Sequence, residues 1–164
     1  MNFMNAANKY RRERWLYLHH LKLLAHFYCS WIYLIHNSYI PPTCSIGKGT
    51  VFAYKGIGVI IHANAVVGDN CTIGSNVTIG GGAGGSNKKI LEYNAIRKEV
   101  PVIGNRVEIA TGAKVLGNIV VGDDVIIGAN AVVINDVPSK AVVGGVPAKI
   151  LYMKIELDDK ENRA

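Results

Sequence analysis

The chain is poor in charged residues and in cysteine. Charged residues make up 18% of its 164 residues and hydrophobic ones 49%, which excludes a disordered protein and predicts one globular unit. Its three cysteines, Cys29, Cys44 and Cys71, are an odd number without metal-ligand spacing, so we expect free thiols, no disulfide and no metal site. The N-terminus lacks the apolar run and cleavage site of a signal peptide, which indicates a cytoplasmic protein. No nucleic-acid partner is expected.

Acidic residues are almost absent from residues 1–40, whereas basic and aromatic residues are concentrated there. This part holds five lysines and arginines against Glu13 alone, a net charge of +4, and nine of the thirteen aromatic residues. Pro41 and Pro42 lack the backbone donors that would continue a helix. We therefore predict an N-terminal helical segment over residues 1–40, a repeat domain over 41–150 and a C-terminal tail over 151–164.

Residues 15–36 have the spacing of one long helix, with a polar stripe formed by His19, Lys22, His26 and Ser30. A lysine and several histidines within about 20 residues argue against a membrane span. The apolar side chains must still be covered, either by the protein or a neighbouring subunit, or by the inner face of a membrane behind the basic residues. Metal ligation by the histidines is a weaker alternative, because no acidic or cysteine ligand accompanies them. We expect the repeat domain to fold without residues 1–36, since its repeated apolar positions lie beyond Pro42.

A six-residue repeat fills the second part of the chain. Aliphatic residues open successive hexapeptides at 103, 109, 115, 121, 127 and 133, and a second apolar position recurs four residues after each. Glycine often follows the opening residue, and Asn or Asp comes next, which we interpret as a corner whose glycine adopts a positive φ. One strand and one corner in every hexapeptide predict a solenoid of roughly five three-sided turns, with the repeated apolar positions inside.

Several segments carry a resemblance to a known family: VIIHANAVVGDN (59–70), NVTIGGG (76–82), GAKVLGNIVVG (112–122) and VVGGVPAKI (142–150). They resemble the left-handed β-helix hexapeptide acyltransferases, in particular the serine acetyltransferase-like branch and, within it, the O-acetyltransferases associated with surface polysaccharides. The resemblance implies a mainly β fold, a left-handed parallel β-helix, with an N-terminal helical segment and a protruding loop at 81–101. It also implies acetyl-CoA as co-substrate and a homotrimer with active sites between subunits.

His62 is the only histidine of the repeat domain. Acetyl transfer from a thioester to a hydroxyl needs a base for the alcohol proton and donors for the developing oxyanion, and imidazole is a natural base near neutral pH. His62 follows the inward Ile61, so we expect it to point outward, where the resemblance places the catalytic histidine. The resemblance further assigns the amides beside Gly80 and Gly81 to the oxyanion. It assigns coenzyme A to Gly112, Ala113, Ala131 and Lys149.

Two residues depart from the pattern of the serine acetyltransferases. Tyr39 stands where those enzymes carry an aspartate that orients the histidine, and Val100 stands where they carry a second histidine that binds serine. A free amino acid needs fixed charges at both of its ends, and neither residue supplies one. We therefore expect the acceptor to be a sugar hydroxyl in surface polysaccharide biosynthesis, contacted by Tyr54, Asn87 and Tyr93.

Other functions remain open. The acceptor could instead be serine or a small xenobiotic alcohol, and the solenoid could bind a partner without catalysing a reaction. A γ-type carbonic anhydrase would need three histidines on one zinc ion, and the repeat domain offers one. The loop at 81–101 is either flexible or closes over an anionic or sugar substrate with its four basic residues, Lys88, Lys89, Arg97 and Lys98.

Overall fold

The computed structural model describes residues 5–81 and 100–154, so Asn87, Tyr93 and most of the predicted loop lie outside the described residues. Within these ranges two helices, α1 (Ala6–Leu18) and α2 (Lys22–His36), precede fourteen short strands, and a 3₁₀ turn spans Ala53–Gly56. The strands are β1 (Ser45–Ile46), β2 (Val51–Phe52), β3 (Ile60–Ile61), β4 (Val66–Val67), β5 (Thr72–Ile73), β6 (Thr78–Gly80), β7 (Val102–Ile103), β8 (Glu108–Ile109), β9 (Lys114–Leu116), β10 (Val120–Val121), β11 (Ile126–Ile127), β12 (Val132–Val133), β13 (Ala141–Gly144) and β14 (Lys149–Met153).

Successive strands pass through three sheets in turn. Sheet A contains β3, β6, β9 and β12; sheet B contains β1, β4, β7 and β10; sheet C contains β2, β5, β8, β11 and β13, with β14 antiparallel at its edge. A regular turn takes eighteen residues, since Val102 pairs with Val120. Bridges from Tyr39 to Ile60 and from Val121 to Val137 extend sheets A and B to five levels. The chain is a left-handed parallel β-helix, which confirms the predicted fold.

The interior of the coil consists of the apolar positions that the repeat predicted. Every opening residue from Ile103 to Val133 and every second position from Val107 to Val137 is buried. A single turn has no partner for these side chains, whereas stacked turns cover one another. Full burial of each Val or Ile contributes about 1.5–3 kcal/mol, so the inward column is the main source of stability.

The corners differ from the predicted ones in which residue takes the positive φ. It is the residue two places beyond the expected glycine, as at Asn70, Asn76, Arg106, Asp124 and Asn130. The glycine itself is needed for space between turns. At Gly74 an added Cβ would lie 2.6 Å from the backbone nitrogen of Thr111 in the next turn. The prediction of positive φ at these glycines was therefore wrong, because close stacking and not dihedral freedom selects them.

The N-terminal segment forms two packed helices, so the single helix predicted over residues 15–36 is wrong. The chain reverses between them, where His20 adopts a φ of 61°. Helix α1 then lies on the first turn of the coil. Tyr10 Oη donates to the carbonyl of Cys44 at 2.7 Å and an Arg14 guanidinium nitrogen donates to that of Pro42 at 2.8 Å. The first turn has no turn beneath it, so α1 covers an edge that would otherwise expose unpaired backbone groups.

The hydrophobic core is continuous from the helices into the coil. Ala6, Tyr10 and Ile32 belong to the same buried cluster as Phe52 and the inward column. The expectation that the buried column lies wholly beyond Pro42 was wrong, because α1 and α2 supply the apolar cover of the first turn.

Candidate active site

His62 stands at the end of strand β3, on the outer side of sheet A. Its neighbour Ile61 is fully buried, and His62 is exposed, as the alternation predicted. The backbone N–H of His62 donates to the carbonyl of Ile79 at 2.8 Å. Since Ile61 pairs with Ile79, His62 lies beside Gly80 of the next turn, at a strand spacing of about 4.8 Å. The fold thus brings together His62 and Gly80, two residues that the sequence assigned to one site.

The imidazole of His62 is held by the backbone that follows it. Its Nδ1 atom accepts a hydrogen bond from the N–H of Asn64 at 3.1 Å. A neutral imidazole that accepts at Nδ1 carries its proton on Nε2. In this arrangement Nε2 can donate to an oxygen but cannot take a proton. To act as a base through Nε2, the ring must give up the Asn64 bond and change tautomer.

Gly80 differs from the glycines that stack at the corners. The nearest atom to an added Cβ would be Leu116 Cδ2 at 3.6 Å, an ordinary contact. Packing therefore does not require glycine here, and its small size leaves the backbone beside His62 accessible. The carbonyl of Gly80 accepts from the N–H of Gly117 at 3.0 Å, while Gly81 is exposed.

The residues predicted to hold coenzyme A lie at the other edge of sheet A. Ala113 and Ala131 are fully buried, so only their backbones can face a ligand. Their carbonyls accept from the N–H groups of Thr78 and Lys114 in the preceding turns, and the N–H of Gly112 donates to the carbonyl of Ser75 at 2.9 Å. Lys149 is exposed and follows Ala148, whose N–H donates to Val132 at 2.8 Å. Ala131 and Lys149 thus lie near each other.

The predicted site residues therefore form two groups, one at each edge of sheet A. Gly58 stacks beneath Asn76 and lies at the same edge of sheet A as Gly112. His62 follows Gly58 by four residues and lies at the other edge. Four residues of extended chain span about 13 Å. The group around His62 and Gly80 and the group around Gly112 and Ala131 are separated by roughly this width.

Tyr54 belongs to an irregular turn at the same edge as Gly58. Tyr54 and Lys55 both adopt left-handed backbone conformations, with φ of 50° and 63°, and Tyr54 is 72% exposed. Two adjacent non-glycine residues in this region store backbone strain, which is common at functional sites. The turn arises because three extra residues separate the inward Phe52 and Ile61, nine apart instead of six. That surplus is visible in the sequence and could have identified the turn and Lys55.

A cleft of about 390 Å³ opens between the end of α2 and the outer face of sheet A. It is lined by Tyr33, Asn37, Tyr39, Gly58, Ile60, Asn76, Thr78 and Lys114. Lys114 Nζ donates to the carbonyl of Asn76 at 2.7 Å and supplies the cationic group of this lining. Ile60 and His62 both point outward and lie about 6.6 Å apart along the strand, so the cleft adjoins His62. Sequence reasoning missed Tyr33 and Lys114, because neither carries a recognisable motif.

Val100 and Tyr39, the two departures from the serine acetyltransferase pattern, differ in exposure. Val100 is buried, so its side chain faces the protein and not a ligand, whereas Tyr39 is exposed in the cleft. Across residues 5–81 and 100–154 no group of three His, Cys, Asp or Glu side chains could hold a metal ion. In the same residues, no helix is long and apolar enough to cross a membrane.

Comparisons with known proteins agree with this architecture. A family model described as "Bacterial transferase hexapeptide (six repeats)" matches residues 101–135. The serine acetyltransferase of Synechococcus elongatus is 37% identical over 143 residues, which cover 87% of this chain and 54% of the relative. The serine acetyltransferase of Mycobacterium tuberculosis is 40% identical over 150 residues, which cover 90% of this chain and 60% of the relative. The chain thus spans little more than half the length of these relatives.

Solved structures show the same likeness to serine acetyltransferases. The serine acetyltransferase of Brucella abortus strain S19 superimposes with a TM-score of 0.78 and 34% identity, covering 91% of this chain and 56% of that one. A serine acetyltransferase in complex with CoA superimposes with a TM-score of 0.73 and 33% identity, covering 89% of this chain and 55% of that one. The chain belongs to the hexapeptide-repeat transferase family. These relatives are serine acetyltransferases, so they do not support the finer likeness to polysaccharide O-acetyltransferases.

Proposed function

We propose that the protein is an O-acetyltransferase that moves the acetyl group of acetyl-CoA to a hydroxyl. The observation that carries the proposal is the likeness to serine acetyltransferases over about nine-tenths of the chain, including one whose structure contains CoA. The reaction forms a C–O bond and breaks the C–S bond of the thioester. The alcohol proton goes to a base, and the CoA thiolate leaves and is protonated.

The edge of sheet A around His62 and Gly80 is the proposed place of acetyl transfer. His62 would take the alcohol proton after its Nδ1 has released the Asn64 amide. The exposed backbone at Gly81 would donate to the oxyanion that forms on the thioester carbonyl. The bond to Asn64 suits the resting state, since it holds the ring in one orientation until an acceptor arrives.

Coenzyme A is proposed to bind along the other edge, at Gly112, Ala113 and Ala131, with Lys149 near its charged end. Because about 13 Å separate the two edges, the acyl-bearing arm must cross sheet A, or a neighbouring subunit must complete the site. A homotrimer with active sites between subunits, as the resemblance implies, would meet the second condition. We propose that assembly on this basis.

Serine is the first acceptor to test, because the curated relatives are named for it. A second candidate, an uncharged sugar or other alcohol, is favoured by Tyr39 and Val100. The first is a neutral phenol in the cleft, and the second is buried and cannot contact a ligand. Tyrosine and amide groups of the cleft suit hydroxyls and the apolar face of a ring better than a zwitterion.

The decisive experiment measures CoA release from acetyl-CoA with L-serine, with a panel of sugars and with simple alcohols, and identifies the products by mass spectrometry. We expect turnover with one acceptor class and a loss of roughly 10²-fold or more in His62→Ala, the usual scale for a general base. Glu108→Gln, an exposed change on sheet C, is the matched control and should keep full turnover. Absence of turnover and of acetyl-CoA binding would favour a non-catalytic solenoid.

A further inference from the structure

Helix α2 exposes an apolar surface that residues 5–81 and 100–154 do not cover. Leu23 is 90% exposed, Leu34 79% and Phe27 62%, and three further side chains of α2 add to the surface. We define the apolar arc as Leu23, Leu24, Phe27, Trp31, Leu34 and Ile35. At 100° per residue these six fall within one sector of about 120°. A sector of this composition does not remain in water without a partner.

The rest of α2 shows that the apolar arc is distinct from the packed face. Ala25, Ile32 and His36 are buried and lie on the opposite side of the helix. Lys22, His26 and Ser30 form a polar edge beside the apolar arc. The helix therefore has one side packed on the protein, one polar edge and one uncovered apolar side.

The exposed charge of the helix pair has one sign. Glu13 is the only acidic residue of the described residues 5–40, and it is fully buried. Arg11, Arg12 and Lys22 are exposed on the same helix pair. A second copy of this chain placed on the apolar arc would bring the same positive charges against these. An anionic surface, in contrast, would complement both the apolar side chains and the basic ones.

We propose that the apolar arc and its basic residues dock on the surface of a bilayer that contains anionic phospholipids. The helix lies in the interface and does not cross it, since α2 has fifteen residues and none of the described helices is long enough to span. The helix pair packs on the first turn, so a docked protein would hold this end of the coil at the bilayer. This proposal is independent of the acetyltransferase proposal.

The test is sedimentation of the full chain with vesicles of phosphatidylcholine alone and of phosphatidylcholine with phosphatidylglycerol. We expect binding to the anionic vesicles and a fall of at least tenfold in the partition coefficient for Leu23→Asp/Leu34→Asp. Val146→Asp is the matched control, because it places the same charge at a 73% exposed apolar residue outside the helices. Arg11→Gln/Lys22→Gln should weaken binding roughly fivefold per charge removed, as should added salt.

Three results would overturn the proposal. The wild type could fail to bind anionic vesicles, or the variant with two aspartates could bind as well as Val146→Asp. The third is a lipid-free oligomer, seen by sedimentation velocity, that Leu23→Asp/Leu34→Asp dissociates; the apolar arc would then be an interface between copies. Leu23 and Leu34 are exposed, so Leu23→Asp/Leu34→Asp should keep the wild-type melting temperature. Arg11→Gln/Lys22→Gln provides a second, independent measurement of binding.

Discussion

Glu13 should make the protein less stable as the pH rises from acid to slightly alkaline. Its side chain is fully buried on α1, and neither carboxyl oxygen has a hydrogen-bond partner among the described residues. Burial raises its pKa from the ordinary 4.5 to about 8. The thiol of Cys29 on α2 lies close by, and its own pKa is raised to about 11 by burial and by the nearby carboxyl. The carboxyl is therefore neutral in the folded protein at pH 7.

The sign of the effect follows from linkage. Below about pH 4.5 the carboxyl is protonated in both the folded and the unfolded chain, so it adds no pH dependence. Between pH 4.5 and about 8 only the unfolded chain loses the proton, and the free energy of unfolding falls with rising pH. Each unit between the two pKa values is worth about 1.4 kcal/mol, which sets an upper limit of about 5 kcal/mol. Water entry and local relaxation should reduce this to about 2–4 kcal/mol.

Glu13→Gln removes the ionisation while keeping the shape of the side chain. We expect urea denaturation to show little difference from wild type at pH 4.5 and a gain of about 1–3 kcal/mol at pH 8, because the buried amide still lacks partners. Glu108→Gln, at an exposed carboxylate of sheet C, should leave the pH dependence unchanged. If wild type and Glu13→Gln lose stability in parallel across this range, the carboxyl is not the cause.

Two other predictions concern packing. Gly74→Ala should lower the free energy of unfolding by at least about 2 kcal/mol in thermal denaturation, because its Cβ would lie 2.6 Å from the backbone of Thr111. Gly80→Ala should lower it by under about 0.5 kcal/mol, because the added Cβ has room, and should reduce turnover instead. Equal destabilisation of the two variants would contradict this. Deletion of residues 1–36 should expose Phe52 and the carbonyls of the first turn, so we expect a lower melting temperature and aggregation; an equally stable truncated protein would show that the coil needs no cover.

The coil was predictable because one rule acts at every turn. Each hexapeptide places two side chains inside, and only the period had to be read to obtain the buried positions from Ile103 to Val137. The corner glycines were found in the sequence but explained wrongly. Their close contacts are with residues of the next turn, so a glycine needed for space looks the same in a sequence as one needed for its φ.

The helix pair was less accessible to sequence reasoning. The reversal at His20 contains no glycine or proline, and the apolar spacing continues across it, so the local pattern favours one helix. Two helices form because α1 can then cover the open first turn while Ile32 of α2 packs into the same cluster. Local propensity is a weak prior when tertiary contacts of this kind compete with it.

The members of the candidate site were assigned from motifs, and their roles stay predictions. The motifs assign His62 and Gly80 to one site, and the two residues lie side by side because both follow an inward residue on paired strands. The same motifs could not show that Gly112 and Ala131 stand at the opposite edge of sheet A, since the edge depends on which corner of the triangle each hexapeptide occupies. The count between the two groups decides that assignment: Gly80 pairs with Leu116, which lies thirty-six residues later, whereas a regular turn takes eighteen. With coenzyme A at the proposed edge, the acyl group would have to cross about 13 Å of sheet A, or a neighbouring subunit would have to supply the second edge. A subunit-mixing assay, in which His62→Ala and a variant of the coenzyme edge restore turnover only when assembled together, separates these two routes.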